Sequence, residues 1–321
     1  MKIGVLTAAW PDQPLEKVLD WLQGLGVQAV EIGTGGYPGN GHCNPDSMLD
    51  DAPARRAFIG AINDRRMLLS ALSCHGNPLH PNAEVAGQHH EVWRKTVRLA
   101  NLLSIPRVIT FSGCPGDQEG AKAPNWVTAP WPPDHLEVLK WQWEERAIPY
   151  WQKEAAFADE NGVDVCFEMH PNFLVYNPET LMKLRQACGP RICCNFDPSH
   201  LWWQGMDPVE VIRFLGGEVI KHVHAKDVRI DPHVTAVNGV LDTKPYGDEI
   251  NRSWVFRTLG YGHGPSAWND IISMLRLVGY DSVLSIEHED SVMSAGEGLA
   301  KAVQFLKGCM IAEPKGPMTW A

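Results

Sequence analysis

Four apolar runs in the second half of the chain end in acids and histidines. They are Val163 to His170 (VDVCFEMH), Ile192 to His200 (ICCNFDPSH), Val219 to Asp227 (VIKHVHAKD) and Ser282 to Asp290 (SVLSIEHED). Each reads as a buried β-strand that delivers its polar groups at the C-terminal end, with strands over 163–168, 192–197, 219–224 and 282–287. Four earlier runs, Lys2 to Thr7, Val27 to Ile32, Leu68 to Ser73 and Pro106 to Phe111, read as strands as well. Helical spacing separates them. Asp12 and Pro14 open a helix with Leu15, Val18, Leu19, Leu22 and Leu25 on one face, and Gly26 ends it. Further helices are expected over 51–66, 83–103, 136–161, from Asn177 to Gly189, over 266–278 and over 296–306, with Pro149 kinking the fourth.

Two connections are too long for simple turns: Ser112 to His135, dense in Gly, Pro and Trp, and Val228 to Pro265. Ordered loops of such length in compact domains are usually lids or binding loops. The glycine-rich turn after the second strand, Gly33 to Asn40, lacks the Lys-Ser/Thr of a P-loop and reads as a loop that comes close to ligand. The tail from Pro314 to Ala321 has no periodicity. Eight strands alternating with helices, without a linker, is the count of an α/β fold of (β/α)8 TIM barrel type, one domain over residues 1–321, with long loops after strands four and seven. An open doubly wound sheet is the runner-up, though no GxGxxG follows the first strand.

Composition narrows the partners. The chain of 321 residues is 44% hydrophobic and 21% charged, ordinary for a globular core, and its formal net charge of -10 disfavours a phosphate backbone as ligand. Nucleic acid and membrane are therefore not expected partners; a homo-oligomer or a small partner subunit stays open. The eight cysteines include no CxxC pair, and Cys166, Cys193 and Cys194 fall inside strands, as reduced core thiols do. The apolar N-terminus is too short for a signal peptide, so a cytoplasmic location is expected. Among thirteen tryptophans, Trp126, Trp131, Trp202, Trp203 and Trp254 fall in expected loops, either as loop packing or as platforms for the C–H face of a sugar.

In a barrel the C-terminal strand ends converge on one mouth, which brings Glu168, Asp197, His224 and Glu287 together. Three carboxylates and one imidazole suit a hard or borderline divalent cation: Mn2+ fits best, with Mg2+, Co2+ or Zn2+ as alternatives. His170, His200 and Lys226 stand just beyond these ligands, placed to contact substrate, and Asp227 to hold an imidazole by accepting its N–H. His222 is an alternative ligand by strand parity, although a buried, hydrogen-bonded role suits it better; Glu289 is likewise an alternative to Glu287. His75, His80 and His263 approach the mouth from other sides.

The motifs Glu168-x-His170, Asn195 to His200 (NFDPSH), His222 to Asp227 (HVHAKD) and Ser285 to Glu289 (SIEHE) resemble those of the sugar phosphate isomerase/epimerase superfamily, the xylose isomerase-like barrels. The resemblance runs from the first strand to the last helix. It implies that Glu168, Asp197, His224 and Glu287 bind Mn2+, that Glu168 and Glu287 double as acid/base groups, and that His200 contacts substrate. The HAKD stretch departs from the ketose 3-epimerases, which tend to carry a Glu and then an Arg there. The implied chemistry is proton abstraction next to a carbonyl, giving an enediolate. Return of the proton to the opposite face is epimerisation, to the neighbouring carbon isomerisation, and loss of a β leaving group elimination. The Trp-rich loop also resembles loops of members that act on oxidised glycosides, 3-keto-glycoside lyases and C-glycoside deglycosidase subunits, which places Trp126 among the substrate contacts. A phosphodiesterase of the AP-endonuclease branch needs more metal ligands and a basic face, and a non-catalytic sugar-binding subunit needs no intact metal site.

Overall fold

Parallel strands buried on both faces are largely apolar, and eight of them can be covered by closing into a barrel ringed by helices. The computed structural model describes residues 1–314 and 316–319. Its strands are β1 (Lys2–Leu6), β2 (Ala29–Gly33), β3 (Leu68–Ser73), β4 (Arg107–Thr110), β5 (Asp164–Glu168), β6 (Ile192–Phe196), β7 (Ile220–Ala225), then β8 (Asp227–Ile230) and β9 (Trp254–Arg257), and last β10 (Val283–Ile286). All but β8 and β9 form one closed parallel barrel in which β10 lies between β1 and β7. No helix among the described residues is long and apolar enough to cross a membrane. Of the tail, Lys315, Trp320 and Ala321 lie outside the described residues.

Side chains alternate along a strand, so one parity faces the lumen. Cys166, Cys193, Ala71 and Ile109 pack together as one buried apolar layer. Two residues on, the same parity carries Glu168 and Asn195, and then His170 and Asp197. The lumen thus turns from apolar to ionisable toward its C-terminal mouth. The outer layer is filled by helix residues such as Leu19, Leu22, Trp93, Trp151 and Trp268, all at most 1% exposed. Each contributes roughly 1.5–3 kcal/mol by leaving water. Trp151 also donates its indole N–H to the Ser112 carbonyl at 2.8 Å, fixing the chain where it leaves β4.

Two irregularities re-aim side chains at the mouth. The β2–β3 register shifts between Val30 and Glu31, and the β6–β7 register shifts between Cys194 and Asn195. Such bulges bend a strand and turn its next side chain. Helix starts are set by local caps: Asn177 and Thr180 form a capping box ahead of the helix Pro178–Cys188.

The structure differs from the sequence expectation in several places. Trp202 and Trp203 end the short helix Pro198–Trp203 and Trp254 opens β9, so these three do not lie in loops, and the helix Pro208–Leu215 between β6 and β7 was not among those expected. The helix expected over 136–161 is an α-helix (Asp134–Trp141), a π-helical segment (Gln142–Ala147) and a second α-helix (Ile148–Glu160). Pro149 lacks an N–H and its ring crowds the carbonyl four residues back, and the wider turn ahead of it relieves that conflict. The connection 228–265 is not a plain loop. It contains the antiparallel pair β8–β9, the helix Pro232–Asn238 and a 3-10 turn Glu249–Asn251. Trp203, Val228, Trp254 and Phe256 give this excursion its own small core.

Candidate metal and active site

Glu168, Asp197, His224 and Glu287 each offer a ligand atom within 4.8 Å of all the others. Glu168 closes β5, Asp197 follows β6, His224 lies in β7 and Glu287 follows β10, so the barrel mouth assembles them. Asp197 has a second task that orients it: its Oδ1 accepts from the Ser199 N–H at 2.8 Å and caps the helix Pro198–Trp203. That leaves Oδ2 buried and without a hydrogen bond, as is His224 Nδ1. His224 Nδ1 approaches Glu168 Oε2 at 3.0 Å and Glu287 Oε2 at 3.2 Å, yet the alignment is not that of a hydrogen bond. A buried carboxylate oxygen and an imidazole nitrogen that face one cluster without hydrogen-bond partners are an arrangement a divalent cation satisfies. The donor set fits such an ion.

His224 is held from behind by Glu31 of β2, a residue the sequence analysis did not single out. Its Nε2 donates to Glu31 Oε1 and Oε2 at 3.0 Å each. Ser73 and Ser285 also donate to the Glu31 carboxylate, the latter at 2.7 Å. Burial raises the Glu31 pKa, but the His224 charge, with the hydrogen bonds from His224 and Ser73, outweighs it and brings it down to about 2. Burial likewise opposes charge on His224, yet Glu31, Glu287 and Glu168 together raise it well above the ordinary histidine value. The same negative surroundings would favour a cation at Nδ1 in place of the proton. With Nε2–H committed to Glu31, Nδ1 is the nitrogen left to face the cluster.

Glu168 accepts hydrogen bonds from His75 Nε2 and the Asn195 amide at 3.1 Å each, and His200 Nε2 lies 3.1 Å from its carboxylate without hydrogen-bond alignment. Burial raises its pKa, but His200 and His224 lower it well below the usual carboxylate range. Asp197 behaves oppositely. Burial pushes it up to about 7, helped by Glu168 and Glu287 against the pull of Lys226. The Lys226 ammonium lies 2.8 Å from Glu287, 3.0 Å from Glu289 and 3.3 Å from Asp197. Burial alone would lower its pKa, but these carboxylates raise it well above the usual lysine value. His200 and His222 are driven down to about 3 by burial and are neutral. His222 sits below the cluster, between Asn195 Oδ1 at 3.0 Å and Ser70 Oγ at 3.3 Å.

Above the cluster opens a cavity of about 710 Å3. His75, Glu168, His170, Lys226, Glu287 and Glu289 line it, and Tyr37 and Pro38 of the glycine-rich turn reach it. A second cavity of about 250 Å3 is lined by Trp126, His170 and His200 among others. Asp227 and His263 line neither. Asp227 instead accepts from the backbone N–H groups of Gly260, Gly262 and His263 and from His263 Nδ1 at 2.8 Å, and the His263 ring stacks on Trp202 at 3.7 Å. Asp227 does hold an imidazole, that of a structural histidine beside the hairpin rather than a substrate contact. His80 accepts from the Asn82 N–H and also lies outside the cavities.

The sequence profile of the xylose isomerase-like TIM barrel family matches residues 19–309. The chain belongs to that family. It is 41% identical over 310 residues to the uncharacterized protein YfiH of Bacillus subtilis (strain 168), covering 96% of this chain and 98% of that protein. It is 25% identical over 153 residues to the inosose dehydratase of Geobacillus thermodenitrificans (strain NG80-2), covering 47% of this chain and 49% of the relative. Among solved structures, the probable 3-DHS dehydratase AsbF of Bacillus anthracis superposes with a TM-score of 0.67 at 17% identity, over 96% of this chain and 99% of that one. A D-tagatose 3-epimerase-like protein superposes with a TM-score of 0.62 at 18% identity, over 96% and 98%. The barrel is therefore shared with sugar epimerases and with dehydratases.

Proposed function

We propose that this protein is a divalent-metal-dependent sugar isomerase or epimerase that works by moving a proton next to a carbonyl. The observation that carries this reading is the convergence of Glu168, Asp197, His224 and Glu287 ligand atoms, within 4.8 Å of one another, on the floor of a cavity that Glu168 and Glu287 both line. A divalent ion held by these four residues, Mn2+ by the donor set and otherwise Mg2+, Co2+ or Zn2+, would polarise a carbonyl and acidify the neighbouring C–H. Glu168 and Glu287 then serve as the base that takes the proton and the acid that returns one. His75 and Asn195 fix the Glu168 carboxylate so that its geometry is set before substrate arrives. Lys226, held charged by Glu287, Glu289 and Asp197, faces the cavity and stabilises negative charge on a substrate oxygen.

A second reading is elimination from a keto-sugar or 3-keto-glycoside. Lys226 favours it, because a buried ammonium beside the acid/base carboxylates can equally support a departing oxygen, and two of the proteins similar to this chain are named as dehydratases. Product analysis separates the two. A panel of free ketoses and 3-keto-glycosides, incubated with the metal-loaded protein, should yield an epimer or isomer from a ketose. Aglycone release or dehydration without any epimer would replace the first reading by the second.

A further inference from the structure

The second cavity adjoins the first: His170, Asn172, Tyr246 and Phe256 line both and stand at their boundary. The larger cavity, at about 710 Å3, already exceeds the low end of the roughly 300–1,000 Å3 range typical of small-molecule sites, and the smaller adds about 250 Å3. The added space is the size of one ring, not of a chain.

Its chemistry is mixed in a specific way. Trp126, Trp254, Tyr246 and Phe256 give it aromatic walls. These rings are braced: Trp254 stacks on Trp203 at 4.6 Å with an 11° interplanar angle, and Tyr246 lies nearly parallel to Phe256 at 20°. The Arg252 guanidinium stacks over Tyr246 at 4.5 Å and Trp254 at 4.7 Å, so the walls are fixed in place. Between the rings stand Thr128, Asn172, Asp242 and Thr243, short hydroxyl, amide and carboxylate groups. Thr128, Asn172 and Thr243 are exposed and can meet the hydroxyls of a ligand, whereas Asp242 is already engaged by the Lys244 and Ser253 N–H groups and the Lys244 ammonium. A polyhydroxylated ring has an apolar C–H face for the aromatics and hydroxyls for the groups between them.

We infer that the second cavity is a subsite for a second sugar ring, so that the protein takes a substrate of disaccharide size. The reacting sugar sits over Glu168, Asp197, His224 and Glu287, and the linkage passes between His170, Asn172, Tyr246 and Phe256. Residues of both long connections build this subsite, Trp126 and Thr128 from the first and Asp242, Thr243 and Tyr246 from the second. The inference rests on the reading that the larger cavity binds a sugar.

The test is equilibrium binding by calorimetry to the Mg2+-loaded protein, comparing D-fructose with glucosyl-fructose disaccharides of each linkage position. At least one disaccharide should bind roughly tenfold or more tighter than fructose. Trp126→Ala should reduce that ratio, and Thr243→Trp, which places a bulky ring at the open side of the subsite, should bring it close to one. No disaccharide binding tighter than fructose, or a ratio unaltered in both variants, would overturn the inference. Solvent-deuterium exchange, read in the same samples, separates this from failure of the chemistry. Tight disaccharide binding without exchange leaves the subsite and removes the isomerase reading, whereas exchange on fructose with no disaccharide preference does the reverse.

Discussion

Glu31 determines which nitrogen of His224 faces the cluster, because Ser73, Ser285 and the bulge in β2–β3 hold its carboxylate against Nε2. Glu31→Gln should leave the barrel folded and weaken divalent-metal affinity by about 10–100-fold, as loss of a carboxylate partner to a ligating histidine does; calorimetric titration with Mn2+ reads it, and unchanged affinity would separate Glu31 from the site. The acid/base assignment has its own test. Glu168→Gln and Glu287→Gln should each lower turnover by about a hundredfold or more, measured as deuterium entry per second, and an undiminished rate in either would remove that residue from the role. The convergence of Glu168, Asp197, His224 and Glu287 was legible in the sequence because each of four successive barrel strands ends in an acid or histidine. Glu31 was not. It stands alone in an apolar run, and nothing in one strand reveals that Ser73 of the neighbouring strand, His224 and Ser285 all reach it. Only its lumen-facing position, a carboxylate between Val30 and Ile32 in a wholly buried strand, was available as a signal.

The loops divide by what holds them. Gly36 has φ near +66°, and a Cβ there would collide with the His75 carbonyl oxygen, which also accepts from the Tyr37 N–H at 2.8 Å. This turn therefore lies directly on the chain that presents His75 to Glu168. Gly36→Ala should cost more than about 1 kcal/mol of stability through the left-handed backbone and the collision together, seen as a lower urea midpoint. Asp227 secures the segment 260–263 beside the hairpin in a comparable way. Asp227→Ala leaves several N–H donors without their acceptor at about 1–3 kcal/mol each where buried, so stability should fall far more than metal affinity. The two long connections were recognisable from length and composition. The β8–β9 pair within the second was not, since four-residue strands separated by 23 residues carry no turn signal that links them.

At the scale of the whole molecule the barrel order, its helices and the collection of ionisable groups at one mouth follow from strand patterning, whereas the cavities depend on how the long connections fold over it. Acid stability is another property of the whole. Asp290, buried between β9 and β10, accepts from the Thr258 and Val292 N–H groups and from Arg257. Burial raises its pKa, but these donors lower it below the usual aspartate value. A depressed folded-state pKa stabilises fully above the unfolded value of about 3.9 and is lost as pH falls through the folded one. Asp290→Asn should therefore reduce stability at neutral pH and make the acid limb of a stability-versus-pH curve shallower; an identical limb would contradict the linkage.

The measurement that bears most directly on the central claim is proton NMR in D2O with a ketose panel, on protein stripped by chelator and then restored with Mg2+, beside an Asp197→Asn variant treated identically. Asp197 is a proposed ligand with no proposed role in proton transfer, so its loss isolates the metal. The account predicts deuterium entry at the carbon next to the carbonyl in restored wild-type protein, abolished by stripping and strongly reduced in the variant. Exchange that persists undiminished after stripping, or that the variant carries out at the wild-type rate, would contradict it.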